Sequence, residues 1–285
     1  MKPHIHTVSP GDAEYPARLA NISDPPERLY VRGTLPDQST PTVAIVGTRK
    51  ATHEGRETAR GFARDIAGRG AIIVSGLALG IDAAAHEGAL DAHGKTVAVL
   101  GCGVDAIYPP THESLGRRIE ECGAIISEYP EGTPSYPNQF LARNRIISGL
   151  ADAVVIIEAP IASGALATAR HAANQGREVF VMPGPAGHPH YEGSHMLIRE
   201  GARLIRNARD LLEDMPSLAE SLAATHSALA TADPILAVLA AAREPLSVDT
   251  IAEATTLEPN IVLARLTTLT LEGSVTEHHG KFKCV

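Results

Sequence analysis

The chain has 285 residues, 44% of them hydrophobic and 20% charged, an ordinary globular balance with enough length for one large domain and a small one. There is no Trp and aromatics make up only 4%, so the core must be aliphatic. The net charge of −8 excludes a broad basic surface and leaves nucleic-acid binding, if any, to a few well-placed cations and backbone amides. The cysteines Cys102, Cys122 and Cys284 form no CxxC pair, which argues against a disulfide framework or a zinc site. The pair His278–His279 has no ligand-spaced partner and is expected on the surface. Residues 1–11 lack an apolar signal region and no stretch reaches membrane-spanning length, so a cytosolic protein is expected.

Residues 1–40 are rich in Pro and carry mixed charge; they read as a short lead-in with one strand, 29–32. From Thr42 a regular alternation begins. The aliphatic runs 42–47, 71–75, 96–101, 124–127, 153–158, 178–182 and 202–205 look like strands. Helix-like stretches lie between them at 54–69, 81–93, 111–122, 143–150, 164–175 and 193–200. Continuous rather than alternating apolar strands imply a sheet covered on both faces. Strand–helix alternation implies parallel strands with right-handed crossovers. The expected fold is a doubly wound, Rossmann-like α/β domain over 41–214.

Residues 215–232 are biased to Ala, Ser, Thr and Leu and read as a linker or connecting helix. The unit 233–285 then shows three helical patterns, 235–242, 247–255 (with Ser247 as N-cap) and 259–273 (with Pro259 at a first helical position and Gly273 at the end), followed by a hairpin turning at Gly280. Three helices and a β-wing make a winged-helix pattern.

Ligands of a doubly wound sheet bind at the carboxyl ends of its strands. The first expected strand ends in Gly47, Thr48, Arg49 and Lys50, where Gly permits a tight turn and Arg offers a planar fork for phosphate. The second ends in Ser75 and Gly76 and runs through Gly80 to Asp82, a pattern that can nest an anion at a helix start. His86 follows and is expected to be a satisfied core histidine. The third ends in 101–106, a weak GxGxxA match that Pro109 and Pro110 break. Before the fifth strand stand Phe140, Arg143, Asn144 and Arg145; paired Arg suits phosphates and Phe suits an unpaired base, although a core Phe and a solvated helix start would show the same residues. After that strand come Glu158 and the hydroxyl-bearing turn Ser163–Gly164. No carboxylate pair, Ser–His–Asp set or metal-ligand cluster emerges, so no catalysis, metal or cofactor is expected.

In order, the motifs GTR (47–49), SGLALGID (75–82), VLGCGVDAIYP (99–109), SEYP (127–130), F-x-x-RNRIISGL (140–150), SGALATA (163–169), PG (183–184) and GSHMLI (193–198) resemble the DNA-processing protein A family, DprA or Smf. The resemblance spans nearly all of 42–205, and the C-terminal unit is similar to the winged-helix domain of many members. It implies a single-stranded DNA binder that protects incoming DNA in natural transformation, helps load the RecA recombinase, forms homodimers and has no established catalysis. It assigns DNA binding to Arg49, phosphate-cradling turns to Gly47, Ser75 and Gly76, and the family's RNR and SG segments to Phe140, Arg143, Asn144, Arg145, Ser163 and Gly164. Two departures stand out. Forty residues leave no room for an N-terminal helical module, and 135–139 lack the family's Lys before Phe140, with Lys50 the candidate substitute.

The expected mechanism is a groove in which Arg49, Arg143, Arg145 and backbone amides take phosphates while Phe140 lies against a base. The apolar segment Met196, Leu197 and Ile198 is a candidate dimer contact, with core packing the plainer reading. The 233–285 unit carries Arg243, Arg265, Lys281 and Lys283 against seven acidic residues, so it is expected to contact protein rather than duplex DNA. Two enzyme readings compete. Nucleoside-monophosphate phosphoribohydrolases related to the lysine-decarboxylase-like proteins need PGGxGT, which 163–168 and 183–184 do not supply. A dinucleotide oxidoreductase would rest on 101–106 alone.

Overall fold

The computed structural model describes residues 4–242, 244–271, 274–278 and 280–284. Its two compact units are Met1–Leu222 and Ala223–Val285; of the sequence expectations, those on Arg243, Gly273 and His279 lie outside the described residues.

The larger unit is a doubly wound α/β domain on a nine-stranded sheet. Parallel strands β3 (Thr42–Gly47), β4 (Ile72–Ser75), β5 (Thr96–Val99), β6 (Ala124–Ser127), β7 (Ala153–Ile157), β8 (Glu178–Val181) and β9 (Arg203–Leu204) follow the expected runs. The stretch expected to be a lead-in belongs to the sheet. It supplies α1 (Ala17–Ala20) and two antiparallel strands, β1 (Ile5–Val8) and β2 (Leu29–Gly33), with β2 paired to β6.

The sheet order is β1-β2-β6-β5-β4-β3-β7-β8-β9. From β3 the chain winds outward through β4, β5 and β6, then returns to place β7 beside β3. That reversal between β3 and β7 is the switch point at which loops diverge and leave a crevice.

Helices cover both faces, which is why the strands are apolar on both sides. On one face α2 (His53–Ala67), α3 (Ile81–Asp91) and α8 (Ala208–Asp214) bury Phe62, Ile66, Ile81, Ala85 and Leu211 against Val43, Ile45 and Ile73; α4 (Glu113–Cys122) adds Leu115 and Ile119 beside Ile125. On the other, α5 (Pro137–Leu150) and α6 (Gly164–Asn174) bury Ile146, Ile147, Leu166 and Ala169 against Val46, Val74 and Ile156. Helix α5 begins at Pro137 rather than 143. Proline suits that first position, and the Gln139 side chain accepts a 2.9 Å hydrogen bond from the Tyr136 amide.

Helix α7 (Glu192–Arg199) buries Leu197, and Met196 and Ile198 pack on the same core. The candidate dimer contact is thereby committed largely to the interior. His86 is fully buried in the core, as expected, but only half satisfied: its Nδ1 lies 2.7 Å from the Thr96 hydroxyl, while its buried Nε2 has no hydrogen-bond partner among the described residues. Burial favours the neutral ring and pushes its pKa down to about 3.

Residues expected to link the units are helical, as α9 (Pro216–Ala232), and Leu218 and Leu222 pack on the α/β core. The smaller unit is a winged helix: α10 (Pro234–Ala241), α11 (Val248–Thr255), α12 (Pro259–Leu271) and the hairpin β11 (Val275–His278) and β12 (Lys281–Cys284). A short strand β10 (Leu246–Ser247), not expected from the sequence, pairs with β12. Ile235, Leu239, Ile251, Val262, Leu266 and Phe282 form its core. Asp233 caps α10 through the amides of Ile235 and Leu236, and its second oxygen holds Arg265 Nε at 2.8 Å.

Candidate nucleic-acid interface

At the switch point the loops after β3, β4, β5 and β7 and the start of α5 enclose a groove of about 760 Å³. Its lining divides by chemistry. Arg49, Lys50, Ser163 and the N-terminus of α6 contribute positive charge and amides; Tyr108, Pro137, Phe140 and Leu141 contribute an apolar wall.

The β3 turn is built by close approach. A Cβ on Gly47 would run into the Ile157 carbonyl and the Ile81 side chain, so glycine lets β3, β7 and α3 meet there. Thr48 is buried: its amide donates to the Glu158 carbonyl at 2.8 Å and its hydroxyl accepts from the Lys50 amide at 3.2 Å. This anchoring leaves Arg49 and Lys50 exposed on the groove. The Arg49 guanidinium lies over the half-buried Phe140 ring, 5.0 Å from its centroid, within cation–π range. Tyr108 lies 5.3 Å from Phe140 with the ring planes tilted by 31°.

Ser75 and Gly76 do something other than cradle phosphate. The fully buried Ser75 hydroxyl donates to the Ile45 carbonyl at 2.6 Å, tying β4 to β3. The Gly76 amide donates to Asp82 at 3.1 Å, and its carbonyl accepts from Arg143 at 2.9 Å. A side chain at Gly76 would occupy the Arg143 guanidinium's place.

The three polar residues expected to act together on α5 separate. Arg143 is buried and also donates to the Val99 carbonyl and to Asn144, pinning the ends of β4 and β5 to α5. Burial lowers its pKa to about 10, against the pull of nearby Asp82. Burial likewise raises the pKa of Asp82, with Arg143 opposing. Asn144 donates to the Gly164 carbonyl at 3.2 Å, joining α5 to α6. Arg145 leaves the groove: it grips both oxygens of Glu128 at 2.7 Å and lies 2.9 Å from Asp24. Two positions along an α-helix turn by about 200°, so Arg143 and Arg145 cannot share a face. Ser163 caps α6 by accepting from the Ala165 amide at 3.2 Å, and Gly164 is exposed at the first turn, where the helix dipole favours anions.

Sequence reasoning missed Tyr108 as a groove residue and Asp82 as the countercharge to Arg143. The first stands within the 99–109 motif; the second depends on an electrostatic interaction between residues 61 positions apart that spacing does not show. Glu158, which follows β7, is fully buried and accepts from the Thr52 amide at 2.9 Å. Among the described residues no group of three or more His, Cys, Asp or Glu could hold a metal, and no helix is long and apolar enough to cross a membrane.

Residues 6–216 match the family model of DNA recombination-mediator protein A, and 219–281 match the DprA winged helix domain. Protein Smf of Escherichia coli is 43% identical over 212 residues, covering 74% of this chain and 57% of that protein; the chain thus spans little more than half of that relative. The structure of DNA processing protein A from Streptococcus pneumoniae superposes with a TM-score of 0.69 at 38% identity, over 73% of this chain and 74% of that one. The Helicobacter pylori protein, whose structure is described in terms of its single-stranded DNA binding mode, superposes at 0.67 with 33% identity, over 76% and 99%.

Proposed function

Because the chain belongs to the DNA recombination-mediator protein A family, we propose that it binds single-stranded DNA in the switch-point groove. One observation carries this reading: Arg49 lies over Phe140 beside Tyr108, opposite the N-terminus of α6. An unpaired base can lie against the aromatic wall while its phosphate meets Arg49, Lys50 and the helix amides. A duplex keeps its bases stacked inside and cannot use the wall. Contacts to phosphates and ring faces carry little sequence information, so base preference is weak. The H. pylori relative's described binding of single-stranded DNA supports the same reading.

The chain then protects incoming strands and helps load RecA onto them in natural transformation and recombination, acting in the cytoplasm as a homodimer. The ordered motif set supports these roles. In this reading it acts without a cofactor and without catalysis; Asp82 accepts from the Gly76 amide and Glu158 Oε2 from the Thr52 amide, both as structural acceptors.

The test is competition. A labelled homopolymeric single strand bound to the protein is expected to be displaced by unlabelled single strand and resisted by the matching duplex. Equal displacement by duplex contradicts the reading, as does release of adenine from AMP. For the recombinase role, the protein is expected to speed RecA assembly on strands already coated by a single-strand-binding protein; an unchanged rate contradicts that part.

A further inference from the structure

We propose that Tyr108 is a second base-stacking residue, so that the groove holds two successive unpaired bases, one against Phe140 and the next against Tyr108. This rests on the single-strand reading above and adds a binding position to it.

Tyr108 lines the same groove as Phe140, yet the residue remains 40% exposed. A large ring left open beside a groove is available area for a ligand. The ring packs against Phe140 with centroids 5.3 Å apart, a contact that holds it at the groove and lowers the ordering cost of a stack.

The Phe140 and Tyr108 rings adjoin, their centroids 5.3 Å apart, which is closer than the roughly 7 Å, twice the stacking distance, that a base between two rings needs, so two bases must take separate ring faces. A strand using both rings must extend and unstack, as strands do when bases are splayed onto aromatic side chains. The cations Arg49 and Lys50 line the same groove, so phosphates have partners while the bases take the rings. A duplex can offer neither the extension nor the ring faces.

The experiment counts bases. Fluorescently labelled strands of abasic sugar-phosphate carry zero, one, two or three central thymines, and binding to the full chain is measured by anisotropy. For the wild type, affinity is expected to rise at the first thymine and again at the second, each by roughly 5- to 150-fold, the range of base–aromatic stacking, and little at the third. Tyr108→Ala is expected to lose the second rise and keep the first, while Tyr108→Phe keeps both. A wild type with no second rise, or a Tyr108→Ala protein that retains it with unchanged melting temperature, overturns the proposal and leaves single-strand binding intact. A wild type that binds thymine strands no better than duplex overturns the functional reading and this proposal with it.

Discussion

The guanidinium of Arg49 lies 5.0 Å from the centroid of the Phe140 ring, which joins the exposed cation after β3 to the aromatic wall on α5. Because the two side chains touch one another as well as the proposed ligand, their contributions to binding are not independent. Single-strand affinities of Arg49→Ala, Phe140→Ala and the double variant are expected to show a coupling of at least ~0.5 kcal/mol. Strict additivity, measured by anisotropy at one salt concentration, contradicts a shared site.

Arg143 and Arg145 should behave oppositely to a pair of phosphate ligands. Arg143→Ala strips the buried Gly76 and Val99 carbonyls of their donor and removes a cation that pulls against the burial of Asp82. Leaving two buried carbonyls unsatisfied costs about 3 kcal/mol, a fall in Tm of roughly 6 °C or more for a domain of this size. Arg145→Ala removes an ion pair outside the groove and is expected to leave single-strand affinity within about 0.5 kcal/mol. Thermal melting checks the first; a large affinity loss in Arg145→Ala with unchanged melting contradicts the second.

Acid should unfold the protein partly through His86. Its pKa in the fold, about 3, lies below its ordinary 6.5, so the unfolded chain takes the proton first. The stabilising contribution is complete above about pH 6.5 and is lost as the pH falls from 6.5 toward 3. Asp82, raised by burial, acts with the opposite sign: its contribution is present at low pH and declines as pH rises. His86→Asn removes the first effect and keeps the second. Melting temperatures between pH 7 and pH 4 should therefore fall less steeply for this variant than for wild type; parallel curves contradict the assignment.

The smaller unit is expected to add little to DNA binding. Ile261 and Leu263 are about half exposed on α12, and Arg265 is held by Asp233. A chain ending at Leu222 is expected to keep the single-strand affinity of the whole protein within about 0.5 kcal/mol. A large drop on electrophoretic titration would show that the smaller unit supplies DNA contacts.

The strands from β3 to β8 were legible because each is apolar on both faces, and the winged helix because its caps and turn residues agree with its periodicity. Strand β1 was hidden: Ile-His-Thr-Val is short, mixed and at a sheet edge, and its identity comes from pairing with β2. Glycine-rich turns and basic residues located the groove. They did not distinguish the exposed Arg49 from the buried Arg143: Arg49 follows a strand and Arg143 was expected at a helix start but lies within α5, and only packing decides which one is left to a ligand. Ser75 and Gly76 show the same limit: a sequence suited to an anion nest here serves the sheet and Arg143.

The most direct test is anisotropy binding of a labelled homopolymeric single strand and its duplex across a salt series, for wild type and Arg49→Ala. The wild type is expected to prefer the single strand. Arg49→Ala should bind every single strand more weakly and reduce the slope of log affinity against log salt by about 0.7. No preference for single strands, or a variant with an unchanged slope, would contradict the groove as a single-stranded DNA site.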